Sequence, residues 1–354
     1  PLEPLISRLF LLDAEAPALP SESAGTGQRP VIERWYPDEA SDEELQQCFG
    51  LLVDANYRTT PADLRQWMDD PAAVSWRATL NGVVAGVLWG SIEGGLDEAL
   101  ANQVMLGERR IRGHMLPQSL ATHSGFAVAA QQRFLRVVRV AVNAEARQQG
   151  VGSALVSAAR DHAINAGLDA LGTSFGGNSE LVTFWQRNGL MPVRLWLTRE
   201  SSSGELPLQM LWGISEPGRR LTGNLRKRLA RHWLTLLPVV WPDLNPELLW
   251  QLMASLPPGE QLDEDDRRDL HSFAFGHRGF VLTLPVLRNL SLQKGVAESI
   301  SGVTDNLSHL WARSVLQGWE WSRLQRSNLC RGREEGEARL RLAVQKFLQN
   351  RPDL

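Results

Sequence analysis

The sharpest chemical pattern in the sequence is Val140-Ala141-Val142-Asn143-Ala144-Glu145-Ala146-Arg147-Gln148-Gln149-Gly150-Val151-Gly152-Ser153-Ala154-Leu155. A β-branched run leads into Arg-x-x-Gly-x-Gly and then into helix-forming residues. The glycines let the backbone approach an anion closely, and the helix start offers unpaired N–H groups and the positive end of a dipole. No lysine follows the glycines, so the pattern suits a pyrophosphate rather than a triphosphate with magnesium. A tight strand-to-helix connection that binds nothing has the same pattern, and that reading stays open. A dinucleotide-binding turn would need a third glycine, an early position and an acidic residue closing the next strand. Here the third glycine is absent and the pattern sits mid-chain, behind hairpins.

The remaining composition bounds the chemistry. The chain has 354 residues, with Lys+Arg 37 against Asp+Glu 40 and a formal net charge of −3. Hydrophobic content of 43% and charged content of 22% are those of a folded chain with two or three domains, not of a disordered tail, a fibre or a disulfide miniprotein. The balance gives no global field for nucleic acid or membrane, so such binding must come from local patches. The two cysteines, Cys48 and Cys330, lie far apart and fit buried thiols in a reducing compartment. No His/Cys/Asp/Glu cluster has metal-ligand spacing, so no metal is expected. Lysine occurs only at Lys227, Lys294 and Lys346, none after glycine, so there is no Walker A loop. Apolar stretches fall short of the roughly 18 residues of a membrane span. The chain begins at Pro1 rather than Met, consistent with a fragment or a processed product.

Around the pattern, the elements that must position it follow a mixed order. Residues 13–30 are Ala-, Pro-, Ser- and Gly-rich and read as a linker after an upstream remnant at Leu5–Leu12. From residue 31 the texture is α/β. Glu43–Ala55 and Pro61–Met68 read as helices, the second with Pro at its first position after Thr60. Val74–Leu80 and Val83–Ser91 read as strands joined by Asn81-Gly82, a strong hairpin signal. Phe134–Val142 reads as a central strand, Gly152–Ala166 as a helix, Leu171–Phe175 as a strand and Ser179–Asn188 as a helix closed by Gly189. Met191–Thr198 and Leu206–Trp212 read as a closing hairpin. Beyond Ser215 long helical periodicities take over. The expected organisation is therefore 1–30 remnant and linker, 31–215 α/β domain, and 216–354 mainly helical tail.

This order, with Arg-x-x-Gly-x-Gly after the central strand, resembles the GNAT acetyltransferase superfamily. Further motifs narrow it: Asn56-Tyr57-Arg58-Thr59-Thr60-Pro61, Arg112-Gly113-His114-Met115-Leu116-Pro117-Gln118-Ser119-Leu120, Arg139-Val140-Ala141-Val142, Ser174-Phe175-Gly176 through Glu180, Phe184-Trp185-Gln186-Arg187 and Phe273-Ala274-Phe275-Gly276-His277-Arg278. In this order they resemble the bacterial tRNA(Met) cytidine acetyltransferase family. The resemblance implies a GNAT fold with a mixed central sheet followed by a helical RNA-binding tail. It implies cytoplasmic acetyl transfer from acetyl-CoA to N4 of the wobble cytidine of elongator tRNA(Met), with the anticodon region as partner. It also implies an ATP-dependent helicase-like module in full-length members, which is not expected among these residues. Cofactor contacts carried over by motif are Val140, Ala141 and Val142 for the pantetheine arm. Arg147, Gln148, Gln149, Gly150, Val151, Gly152 and Ser153 would wrap the pyrophosphate, with Glu180 and Arg187 completing the set. A backbone N–H near Val142 is the implied oxyanion donor.

The chain departs from the superfamily in two places. The tyrosine that many members use as an acid is Trp185, whose indole cannot serve, and Tyr36 and Tyr57 lie far upstream. Where relatives show Val-His-Pro, this chain has Val142-Asn143-Ala144, and Asn takes no proton. Glu145, Glu180, His114 and His123 remain unranked as bases. Two basic patches are RNA candidates: Arg109, Arg110 and Arg112, and the helical stripe Arg220, Lys227 and Arg231 beside Asn224. A solvated face reads the same way. His162 is expected in the core, His277 in a structural role, and Trp233, Trp241, Trp250 and Trp311 in the core. Two rival functions stay open: a GNAT enzyme acetylating a protein lysine or small amine, and a non-catalytic acetyl-CoA-sensing RNA-binding module.

Overall fold

A computed structural model describes residues 14–19, 29–55, 60–200, 204–301 and 306–350. The expected remnant at Leu5–Leu12, the linker residues 20–28 and the Asn56–Thr59 part of the upstream motif lie outside the described residues. The chain forms two compact units. The first takes the residues up to Phe175 together with Phe184–Met191 and Gln209–Thr222; the second takes Gly176–Thr183, Pro192–Leu208 and Gly223 onward.

Strand β1 (Val31–Trp35) is followed by helices α1 (Asp42–Ala55) and α2 (Pro61–Asp69). Both helices start on reciprocal caps. Ser41 Oγ accepts from Glu44 N while Glu44 Oε2 accepts from Ser41 N, and Thr60 and Asp63 repeat the arrangement with Pro61 in the first turn. Strands β2 (Ala73–Leu80) and β3 (Val83–Gly94) are joined at Asn81-Gly82, whose φ values of 51° and 79° are the paired left-handed angles of a tight hairpin. Next come β4 (Arg133–Val142), α6 (Val151–Asn165), β5 (Ala170–Gly176), α7 (Ser179–Arg187), β6 (Met191–Leu195) and β7 (Pro207–Gly213), with the sheet ordered β1-β2-β3-β4-β5-β7-β6. All pairings from β1 to β4 are antiparallel and β4–β5 is parallel, which gives the mixed sheet of a GNAT fold.

Two features had no sequence expectation. One is β1, five residues with alternating exposure. The other is an insertion between β3 and β4: α3 (Glu98–Met105), α4 (Met115–Ser124) and α5 (Ala127–Gln131). Glu93, 1% exposed near the end of β3, holds this insertion. Its Oε1 accepts from Arg136 Nε on β4 at 2.5 Å, and its Oε2 accepts from Leu116 N, an otherwise unpaired donor in the first turn of α4, at 2.8 Å.

Residues 14–19, part of the stretch expected to be a linker, instead pack into the first unit. Ala14 is buried with Trp35, Leu45, Cys48, Phe49 and Trp67 in the core beneath α1 and α2. Three indoles, Trp35, Trp67 and Trp89, lie in series at 5.2 and 5.8 Å, and Trp67 Nε1 donates to Ser75 Oγ at 2.7 Å. Burial pushes the Cys48 thiol up to about 12, so it is an inert core residue.

The second unit is mostly helical: α8 (Glu216–Val240), α9 (Pro246–Ser255), α10 (Glu264–Phe275), α11 (Phe280–Ser291), α12 (Val296–Ser301), α13 (Leu307–Trp311), α14 (Trp321–Arg326) and α15 (Arg333–Asn350). Trp233, Trp241, Trp250 and Trp311 are buried, as expected. The turn after α8 is held by side chains from a π-helical turn at Ala312–Leu316 and just beyond it. Arg313 and Gln317 bind the Trp241, Pro242 and Leu244 carbonyls, and Trp319 lies between the guanidiniums of Arg313 and Arg323 at 4.3 and 3.7 Å.

The Glu93 node makes a stability prediction. Glu93→Ala strands a half-buried guanidinium and an uncapped helix start, and should cost about 3–5 kcal/mol in urea unfolding. Glu93→Gln keeps an acceptor for one donor and should cost less.

Candidate active site

The site is built on a divergence between two strands. β4 and β5 pair only over Phe134–Val137 and Ala170–Thr173, although β4 runs on to Val142 and β5 to Gly176. On its other edge β4 stays paired to β3 as far as Gly86↔Val142. The β3 register there steps from Trp89↔Arg139 to Gly90↔Val137, so Val138 is an extra residue, a bulge, at the point where β5 departs. Asn143 N donates to Ala85 O at 2.9 Å. By strand alternation the backbone groups of Ala141 also face β3, and those of Val140 and Val142 face the open edge. An extended amide chain laid in this opening would meet donors and acceptors at Val140 and Val142.

The opening leads to the glycine turn. Gly150 has φ of 82° and caps α6 with no side-chain hydrogen bond. The first helical bond runs from Ala154 N to Gly150 O at 2.9 Å, leaving the N–H groups of Val151, Gly152 and Ser153 ahead of it. A Cβ on Gly150 would meet nothing within 4 Å, so open space lies over that position. At Gly152 a Cβ would come within 3.2 Å of the Phe184 ring and 3.5 Å of Val142, which brings strand end, turn and α7 together. Asn188 Nδ2, just past α7, donates to Ser153 Oγ at 3.2 Å. Gln148 carries φ of 63°, a left-handed value uncommon for a residue with a Cβ, so with Gly150 the turn holds two left-handed residues.

The expected cofactor residues thus separate. Val140 and Val142 are half-buried at the open edge, and Arg147, Gln148, Gln149, Gly150, Gly152 and Ser153 are at least partly exposed along the turn. Val151 and Ala141 are buried, Ala141 in the core under α1. Glu180 opens α7 and Arg187 closes it, both exposed. Seven residues of helix put them about 10 Å apart, too far for one contact.

Among the four possible bases, Glu145 Oε2 already accepts from Leu19 N at 3.2 Å, and His114 Nδ1 accepts from Gly94 N at 2.8 Å. His123 is exposed in the last turn of α4. Trp185 is 3% exposed and packs edge-on to Phe184 at 5.0 Å, so the position of the usual phenol is occupied by a core ring. His162 is half-buried rather than core, its ring edge-on to Trp76 with centroids 5.4 Å apart, and burial with Arg34 nearby lowers its pKa. Its helix face meets solvent at α6's rim, which period alone does not reveal.

A link the sequence reading missed runs from β4 to α2. Arg139, next to the bulge, donates from Nη2 to Asp63 Oδ1 at 3.0 Å, while Asp63 Oδ2 accepts from Thr60 N and Oγ1, each at 2.8 Å. Burial raises the Asp63 pKa, but the Thr60 and Arg139 hydrogen bonds outweigh it and hold the carboxyl below its usual range. The cap was readable from Thr-Pro-x-Asp; its long-range partner was not.

The basic candidates are all exposed. Arg109, Arg110 and Arg112 lie between α3 and α4, and Arg220, Lys227 and Arg231 line α8 with Asn224. Leu221, Leu225 and Leu229 form the opposite, buried stripe of α8. His277 is exposed after α10. Among the described residues no His/Cys/Asp/Glu group could hold a metal ion, and no helix is long and apolar enough to cross a membrane.

Comparison with known proteins agrees with this geometry. Residues 33–190 match the acetyltransferase (GNAT) family. The tRNA(Met) cytidine acetyltransferase TmcA of Yersinia pestis is 40% identical over 250 residues, covering 71% of this chain and 35% of that protein. Its counterpart in Photorhabdus asymbiotica is 33% identical over 302 residues, covering 84% of this chain and 42% of that one. The one in Nitrosococcus halophilus is 36% identical over 282 residues, covering 78% and 38%. The chain therefore spans about two-fifths or less of the length of these relatives, and its matches run well past the GNAT core. With the strand opening, the glycine turn and these comparisons in agreement, residues 33–190 form a GNAT acetyltransferase domain, and the chain is similar over most of its length to tRNA(Met) cytidine acetyltransferases.

Proposed function

We propose that this chain is an acetyl-CoA-dependent transferase that acetylates N4 of the wobble cytidine of elongator tRNA(Met). Residues 31–215 would form the acetyltransferase domain and 216–354 a helical tail that holds RNA. The observation that carries the cofactor half is the opening beyond Val137↔Thr173, which leads directly into an uncapped helix start at Gly150. The pantetheine amides would pair with Val140 and Val142, and the pyrophosphate would lie on the N–H groups of Val151, Gly152 and Ser153. Acetyl-CoA is named on this fit and on the family; ATP would belong to the relatives' remaining length.

The chemistry asks little of an acid or base before the attack. The cytosine N4 lone pair is delocalised but uncharged, so it needs no prior deprotonation. Its main needs are placement against the thioester and polarisation of the acetyl carbonyl by a backbone N–H near Val142. With Trp185 buried and Asn143 unable to accept a proton, this reading leaves the N4 proton and the thiolate to solvent or to groups on the RNA. Recognition of an anticodon loop suits splayed bases and phosphate contacts, for which the exposed arginines are fitted.

Incubation with labelled acetyl-CoA and bulk tRNA, followed by nucleoside analysis, tests the whole reading. N4-acetylcytidine is the expected product; label in protein or small amines, or binding without transfer, would replace it with one of the rival functions. For the cofactor, calorimetry should show acetyl-CoA binding that Gly150→Glu abolishes. Because φ at Gly150 is 82°, Gly150→Asn is the companion variant: Asn tolerates that angle, so a loss of affinity with unchanged Tm reports on the anion and not on strain. For RNA, replacing Arg220, Lys227 and Arg231 with Ala should weaken all tRNAs alike. The slope of log affinity against log salt should fall by about 0.7–0.9 for each phosphate that is no longer neutralised. Wild-type affinity and slope in the triple variant would return this stripe to a solvated face.

A further inference from the structure

The segment 14–19 is tied to the glycine turn by a short relay. Asn143, 6% exposed at the end of β4, is the hub. Its Nδ2 donates to Pro17 O at 2.7 Å, and its Oδ1 accepts from Glu145 N at 3.0 Å. Glu145 Oε2 accepts from Leu19 N at 3.2 Å, and Glu145 O accepts from Gln149 Nε2 at 2.8 Å. Gln149 immediately precedes Gly150. Thus two backbone groups of the segment, 126 residues away in sequence, fix the two residues that lead into the turn.

The segment also has a shaped seat. Gly50 lies buried in α1, and a Cβ there would fall 2.3 Å from Glu15 O and 2.9 Å from Ala16 N. The helix therefore carries glycine where the segment's backbone crosses it. Ala14 and Leu19 are buried at either end. Between segment, α1 and turn remains a cleft of about 220 Å³, lined by Pro17, Asp54, Asn143, Glu145 and Arg147 among others. The approach to the turn, from Val142 to Arg147, is thus not packed solid against α1, and the two hydrogen-bonded ties bridge it to the segment.

We propose that residues 14–19 act as a strap that positions the glycine turn for acetyl-CoA, with Asn143 as the positioning residue that couples the two. The proposal rests on the cofactor reading above. Coupling between two sites is reciprocal: a seated strap that favours the bound turn must itself be held more firmly when the turn is occupied. The chain upstream of the acetyltransferase core therefore sets cofactor affinity through six residues.

Two variants of the full chain separate strap from turn. The nearest atoms to the Cβ of Gly50→Ala are the strap backbone at Glu15 and Ala16; alanine suits a helix interior better than glycine, so its cost falls on that backbone. Asn143→Asp has the same size and keeps the acceptor for Glu145 N, but loses the donor to Pro17 O. Calorimetry with acetyl-CoA and hydrogen exchange over residues 14–19 are the readouts. Each variant should weaken acetyl-CoA by about tenfold, within the usual range of coupling between sites. In the wild type, acetyl-CoA should slow exchange at the strap, and this slowing should vanish in both variants. If Gly50→Ala does not fold, Asn143→Asp carries the test alone. Faster strap exchange with unchanged affinity overturns the proposal, as does strap exchange that neither variant alters. A wild type that binds no acetyl-CoA overturns the cofactor reading itself, and the strap's role falls with it.

Discussion

One strand has to do two incompatible things. β4 must remain fully paired with β3, or the sheet loses its centre, and it must part from β5, or there is no opening. The bulge at Val138 resolves the conflict. An extra residue on one strand bends it and increases its twist, and here it falls where the parallel ladder ends at Val137↔Thr173. Everything at the site follows from that bend: the free backbone edge at Val140 and Val142, the glycine turn at its end, and the placement of α6 with its start open to the turn. Side chains contribute mainly by holding this backbone in place.

The supports are accordingly polar and specific. Asp63 caps α2 and also holds Arg139 next to the bulge, while Glu93 pairs with Arg136 just before it and caps α4. Each carboxylate ties a β4 arginine to the N-terminus of a helix. Arg136 and Arg139 lie three residues apart on a strand, so the bulge between them is what lets each reach its own carboxylate. Buried ion pairs are poor sources of net stability, but breaking one is expensive, and that asymmetry suits groups whose task is to fix a register.

The legible part of this molecule was the part with local signals. Asn81-Gly82 announced the hairpin, Pro61 and Thr60 the start of α2, and the β-branched run of β4 the central strand. The turn from Arg147 to Ser153 could be read as a strand-to-helix turn with an open helix start because glycine spacing before a helix is a local property. What stayed hidden depends on residues distant in sequence. Strand β1 is short and carries Glu33 and Arg34, the first of which meets Arg77 across the sheet in an ion pair. Residues 14–19 have a linker's composition, and partners far along the chain, among them Gly50, Asn143 and Glu145, make them part of the fold. The insertion from α3 to α5 is built of helices of only five to ten residues, and its anchor Glu93 lies on a strand that otherwise reads as apolar. Glu180 and Arg187 were linked by motif matching alone, and the helix places them at its two exposed ends.

The open edge of β4 also bears on how the chain avoids unwanted company. A row of unpaired strand groups is a template on which a stray peptide can add itself, and soluble proteins blunt such rows. Here the row is confined to Val138–Val142, interrupted by a bulge at one end and turned away by the 3₁₀ turn Ala144–Ala146 at the other. Few backbone groups point the same way, too few to register a β-strand of ordinary length. The divergence that leaves this edge open is therefore, by its brevity alone, a guard against self-association.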